Sequence, residues 1–148
     1  MATVYSVGRT NTRAVPTVKN PSNKMGGRIR VAHDVYEASS LASGSDITIA
    51  RIPAGSTIHD VVLKCDALGG SSTLKVGTAA DDDLFIAATG TWNAGGQTQS
   101  MQAGSSTGAP IATVTGLANK VSTQTDIIIT TGGASITGTI FCWVYYTQ

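Results

Sequence analysis

Hydrophobic and polar residues alternate along much of this 148-residue chain, most clearly between Ile47 and Thr89. Ile47, Ile49 and Ile52 lead into Pro53-Ala54-Gly55, which cannot continue a ladder and presets a turn. From Ile58 to Cys65, Val61, Leu63 and Cys65 fall on one face and Asp60, Val62 and Lys64 on the other. That period of two belongs to a half-buried strand and has no match at helical spacing. Gly69-Gly70-Ser71 turns the chain again, and Leu74 and Val76 alternate with Thr73 and Lys75 up to Gly77. The acidic Asp81-Asp82-Asp83 then precedes the apolar Leu84-Phe85-Ile86. The block reads as the middle of an antiparallel β-domain.

The flanking segments extend the pattern. A first strand from Arg28 to Glu37 places Ile29, Val31, His33 and Val35 on one face, and Ser39 to Ser45 is a loop. Residues 89–110 are rich in Gly, Ser, Gln and Thr, with Trp92 and Met101 as the large apolar groups. They predict surface loop with one short strand around Thr98 to Ala103. Ile111 to Thr115 suggests an extra short strand, and Thr125 to Thr131 a strand apolar on both faces through Ile127-Ile128-Ile129. Gly132-Gly133 is a hairpin signal. In the last strand, Ser135 to Thr147, Ile136, Ile140, Cys142, Val144 and Tyr146 share one face. Thr137, Thr139, Phe141, Trp143 and Tyr145 share the other, so both faces should be covered, one by a second sheet and one by a partner or an arm. About eight short strands predict an all-β, two-sheet antiparallel sandwich. Spacing fits a plain sandwich and a jelly roll alike.

Residues 1–27 depart from this pattern. They hold Pro16, Pro21, Gly26 and Gly27 with few apolar side chains, and predict an extended N-terminal arm ahead of a β-domain over 28–148. Val4 and Val7, or Val15 and Val18, are its candidate anchors. Charge sharpens the division. The net charge is +1, yet Arg9, Arg13, Lys19, Lys24, Arg28 and Arg30 fall in the first thirty positions with no acid among them. The remainder has four bases and all nine acids, so the two parts carry +6 and −5. Such an arm is expected to contact an acidic surface on a partner or a neighbouring copy. Nucleic acid is the competing partner. The bases are spaced rather than clustered and only Tyr5 is placed to stack, so protein is favoured and no nucleic acid is expected.

Other classes drop out on composition. No apolar run approaches the roughly 18 residues of a membrane-spanning helix, so no membrane partner is expected. The N-terminus lacks the apolar stretch of a secretory signal, which suggests cytoplasmic synthesis and favours buried free thiols at Cys65 and Cys142 over a disulfide.

Little of the chain suggests chemistry. Gly104-Ser105-Ser106-Thr107-Gly108 matches the spacing of a nucleophile elbow, but it lacks the preceding buried strand and following helix. His33 and His59 each adjoin an aspartate that points to the opposite face, and no third metal ligand stands at typical spacing. Asp81, Asp82 and Asp83 form an acidic corner with three readings: a solvated turn or helix cap, a calcium site without EF-hand spacing, or a receptor for a neighbour's basic arm. Neither a P-loop nor a dinucleotide fingerprint is present. An enzyme is not expected, nor any cofactor or metal.

The central block also carries a resemblance. Ile52-Pro53-Ala54-Gly55-Ser56-Thr57-Ile58, Asp60-Val61, Thr73-Leu74-Lys75-Val76-Gly77-Thr78 and the acidic triplet before Leu84-Phe85-Ile86 occur in that order. The order and spacing resemble small virion structural proteins of tailed bacteriophages, encoded near the capsid gene, over about residues 28–90. The resemblance implies a capsid cement or decoration protein, often of jelly-roll fold. Such a protein sits on the capsid surface as a dimer or trimer, and its partners are the major capsid protein and itself. It carries over no catalytic residue. Phe141, Trp143 and Tyr145 are then the expected subunit interface, and the six basic residues the expected capsid contacts. Head-fibre and tail proteins share such domains. The alternative is therefore a carbohydrate- or receptor-binding module that uses Trp92, the acidic corner and the loop of residues 90–110; a hydrolase around Ser106 is the third.

Overall fold

Consecutive strands lie mostly in opposite sheets. The computed structural model describes residues 6–19, 27–90, 92, 95, 97–101 and 119–148. Within them run β1 (Ile29–Leu41), β2 (Asp46–Ile52), β3 (Thr57–Cys65), β4 (Ser72–Gly77), β5 (Ile86–Thr89), β6 (Gln97–Ser100), β7 (Asn119–Lys120), β8 (Thr125–Gly133) and β9 (Ile136–Thr147). The front sheet has the order β1-β9-β3-β6, with β7 also on β3, and the back sheet has the order β2-β8-β4-β5. Every pairing is antiparallel. Since β6 and β7 pair with successive parts of the same β3 edge, they fill one position. The result is eight strand positions in two four-stranded sheets, wound as a jelly roll.

This winding revises one sequence expectation. Gly132-Gly133 closes no hairpin: both residues pair with β4, opposite Thr73 and Ser72, and the chain then crosses to the front sheet to begin β9. The glycines serve a close approach instead. A Cβ on Gly133 would fall on the Ser71 carbonyl oxygen, and its φ of +73° suits glycine.

The core lies between the sheets. Ile52, Leu63, Leu74, Ile86, Ile127, Ile129, Ile136 and Ile140 are all fully buried, as period-two alternation requires of inward positions. Cys65 and Cys142 are free thiols in the same layer. Burial pushes the Cys65 thiol up to about 11, with Asp66 adding to the effect. The Cys142 thiol goes to about 12 for the same first reason, with Asp34 second.

The arm is not wholly extended. Val7–Arg13 forms a two-turn helix, α1. Ser6 caps it, accepting from the Arg9 N–H at 3.4 Å, and Arg13 stands in the last turn where a cation suits the helix dipole. The helix ends before Pro16, which cannot continue it. No helix among the described residues is long and apolar enough to cross a membrane.

Candidate functional site

The outward faces of the two sheets differ in chemistry. On the back sheet, Asp46, Thr48, Arg51, Lys75, Asp126 and Thr130 are polar, and two pairs among them are hydrogen-bonded. Arg51 grips Asp126 through two hydrogen bonds of 2.6 and 3.1 Å, and Thr130 donates to Asp46 at 2.7 Å. Arg51 holds the Asp126 carboxyl below its ordinary range, chiefly through those hydrogen bonds.

Along β1 and β9 the front sheet presents an apolar, aromatic face. On β9, Phe141, Trp143 and Tyr145 alternate with the buried Ile140, Cys142 and Val144, so they point outward, and each is only partly covered. The register sets Val35 beside Phe141, His33 beside Trp143 and Val31 beside Tyr145, while β3 contributes Val62 on the other flank of Trp143. His33 stacks on Trp143 with ring centroids 4.9 Å apart, and Phe141 stacks at 6.1 Å. Ile29, Val31 and Val35 remain 66%, 51% and 44% exposed. Alternation along β1 was legible, but its outward set is the apolar one: Ala38 is buried inward, with Ala32 and Tyr36 packed against the core. A contiguous exposed apolar patch of this kind marks an interaction surface.

The other predicted residues are dispersed. Arg9 and Arg13 lie on α1, Lys19 follows it, Arg28 precedes β1 and Arg30 lies on β1; all are exposed. Arg30 therefore belongs to the β-domain rather than to the arm. Val15 and Val18 are exposed as well. Lys24, the Ser106 motif and the strand expected at Ile111 to Thr115 lie outside the described residues.

Asp81, Asp82 and Asp83 are exposed on the β4–β5 connection, with carboxylate oxygens within 4.8 Å of one another. Lys75 ion-pairs with Asp82. Asp83 titrates above the ordinary range because it hydrogen-bonds Asp81, with some burial and the charges of Asp81 and Asp82 adding to the effect and Lys75 opposing it. The connection is tight: Thr78 N–H donates to the Asp81 carbonyl at 2.7 Å, and Phe85 N–H to Val76 at 2.9 Å.

Both histidines have ordinary sheet roles. His59 occupies a bulge between Ile58 and Asp60 and shares a 2.9 Å hydrogen bond with Thr147. Trp92, expected on a binding loop, is fully buried in the core, and its carbonyl accepts from Leu68 N–H at 3.1 Å. Its burial corrects the sequence reading, because a lone Trp in a polar stretch gives no sign of which way it points.

No protein-family model matches the sequence, and no curated protein does. Solved structures do resemble the fold. A chain of the cyanophage Pam1 capsid asymmetric unit matches with a TM-score of 0.68 at 21% identity, over 100% of this chain and 99% of that one. A chain from the acid-stable capsid of Helicobacter pylori bacteriophage KHP30 matches at 0.59 and 8% identity, over 81% and 87%. One from the capsid of Ralstonia phage GP4 matches at 0.57 and 15% identity, over 82% and 85%. At these identities the likeness establishes a shared fold, and the coverage shows that each matched chain is itself about one such domain long.

Proposed function

We propose that this chain is a structural protein of a bacteriophage virion, a cement or decoration subunit that binds the outer capsid surface and ties neighbouring major capsid subunits together. The observation that carries the reading is the front-sheet face. Phe141, Trp143 and Tyr145, with Val31 and Val35 beside them, form an aromatic and aliphatic surface that one copy of the domain does not cover. Aromatic side chains with partly exposed flanks are the usual anchors of protein interfaces. The similarity to single-domain chains in three phage capsids supports a place in the particle as a separate small subunit.

In this reading the aromatic face is the subunit interface, and the basic residues Arg9, Arg13 and Lys19 carry the arm to an acidic surface on an adjoining subunit. No catalytic residue, cofactor, nucleic acid or membrane enters the assignment. The carbohydrate-binding alternative loses its main support, since Trp92 is inside the core. The test is co-sedimentation with shells assembled from the major capsid protein of the same genome. Full-length protein should travel with the shells, and a chain lacking residues 1–27 should stay folded but remain free. A folded full-length protein that never joins shells overturns the proposal.

A further inference from the structure

The front sheet ends at β1, which among the described residues is hydrogen-bonded to β9 alone. From Ile29 to Ala38 this edge runs ten residues in register with β9, without proline or lysine; the irregularity comes only between Ala38 and Leu41. Exposed edges are ordinarily guarded by such residues or by bulges, and an unguarded one pairs with another strand. Val35 shows which groups face outward. Its N–H donates 2.8 Å to the side chain of Asp34 rather than to β9, so odd-numbered residues present their backbone to the free edge.

We propose that two copies of this chain pair antiparallel through β1, about a two-fold axis at Ala32. Among two-fold registers of this strand, that one sets Arg30 directly opposite the second copy's Asp34, and does so twice. Both side chains are exposed, on the inward-pointing parity of the strand, and Arg30 has no ion pair among the described residues. Inward charges guard an edge when like meets like, whereas here each meets its opposite.

The backbone agrees with the charges. Odd residues supply the inter-copy hydrogen bonds, joining Ile29 to Val35 and Val31 to His33. Arg30 and Asp34 then occupy the wider-spaced positions of the ladder, where facing Cα atoms are about 4.5 Å apart and side chains lie closest. Ile29 and Val35, now 66% and 44% exposed, would cover each other across the junction. The ion pairs select the register; the backbone bonds and apolar contacts supply most of the affinity. The pairing does not depend on the capsid reading, because it forms without a shell.

The test is the mass of the full-length protein in solution by sedimentation equilibrium, with circular dichroism as the check on folding. The expected result is a dimer. Arg30→Glu and Asp34→Arg should each weaken it by more than about tenfold, since each sets like charges opposite one another at two places. The exchanged variant Arg30→Asp with Asp34→Arg should restore the dimer, a rescue that general destabilisation does not give. A wild-type monomer at every concentration overturns the proposal. So does a dimer indifferent to the single substitutions, or an exchange that fails to rescue.

Discussion

The imidazole of His33 lies nearly flat on the indole of Trp143, with ring centroids 4.9 Å apart and planes inclined by 17°. These residues are directly paired between β1 and β9, so the stack is a cross-strand contact on the outside of the sheet. It holds the indole in place beside Phe141 and Val62. A preoriented aromatic loses little side-chain freedom when a partner covers it.

Trp143→Ala should therefore separate binding from folding. Loss of a half-covered indole on an outer face should lower stability by about 1–2 kcal/mol, well below the cost of emptying a core site. Co-sedimentation with capsid shells should disappear. Urea denaturation read alongside the sedimentation assay checks both; a variant that binds shells as well as wild type removes this face from the interface.

Two glycines of similar backbone conformation should respond differently to alanine. Gly44 has φ +81° with nothing within 4 Å of its would-be Cβ, so Gly44→Ala should cost only about 1 kcal/mol of backbone strain. Gly133→Ala adds a collision with the Ser71 carbonyl to a φ of +73°, and should cost more than about 2 kcal/mol. Chemical denaturation of the two variants side by side checks the difference.

The thiols contribute to the alkaline limb of the stability curve. Cys65 and Cys142 rise from an ordinary 9.0 to about 11 and about 12 in the folded chain. Their contribution is complete below the unfolded value and is lost as pH climbs through the folded ones. Denaturation midpoints should fall between about pH 9 and pH 12, and Cys142→Ala should flatten part of that fall. At neutral pH neither thiol should react with a disulfide reagent until the protein unfolds.

Acid should act in opposite directions on two carboxylates. Asp126 is lowered by Arg51, so its contribution is present above the unfolded value and fades as pH drops through the folded one. Asp83 is raised, so its protonated form favours the fold, and that advantage is lost as pH rises through its folded value. Asp126→Asn should lower the melting temperature at pH 7 but not in strong acid. Asp83→Asn should raise it slightly at pH 7, a stabilisation below about 1 kcal/mol because the corner is exposed. Thermal melts of both variants against pH check the signs.

The strands were legible wherever alternation was strict. Val61, Leu63 and Cys65, and Ile136, Ile140, Cys142 and Val144, are buried as their period assigns, while Tyr146 is only partly covered. What the period does not encode is which sheet the next strand joins, and so Gly132-Gly133 read as a hairpin although they pad the contact of β8 with β4. The helix Val7–Arg13 was missed because it has no apolar stripe, and its signal is the single cap at Ser6. The aromatic face was visible as a second apolar set on β9. Its flank of Val31, His33 and Val35 emerged only from the register with β1, a pairing across more than a hundred residues of chain.

The broken strand on the β3 edge has a practical side. β6 leaves that edge with Ser100 opposite Val62, and β7 returns to it with Asn119 opposite Ile58, about 13 Å along the same strand. Ser100 and Asn119 are thus held by the same strand, and a chain inserted between them has only that short gap to close, at an entropic cost that grows slowly with its length.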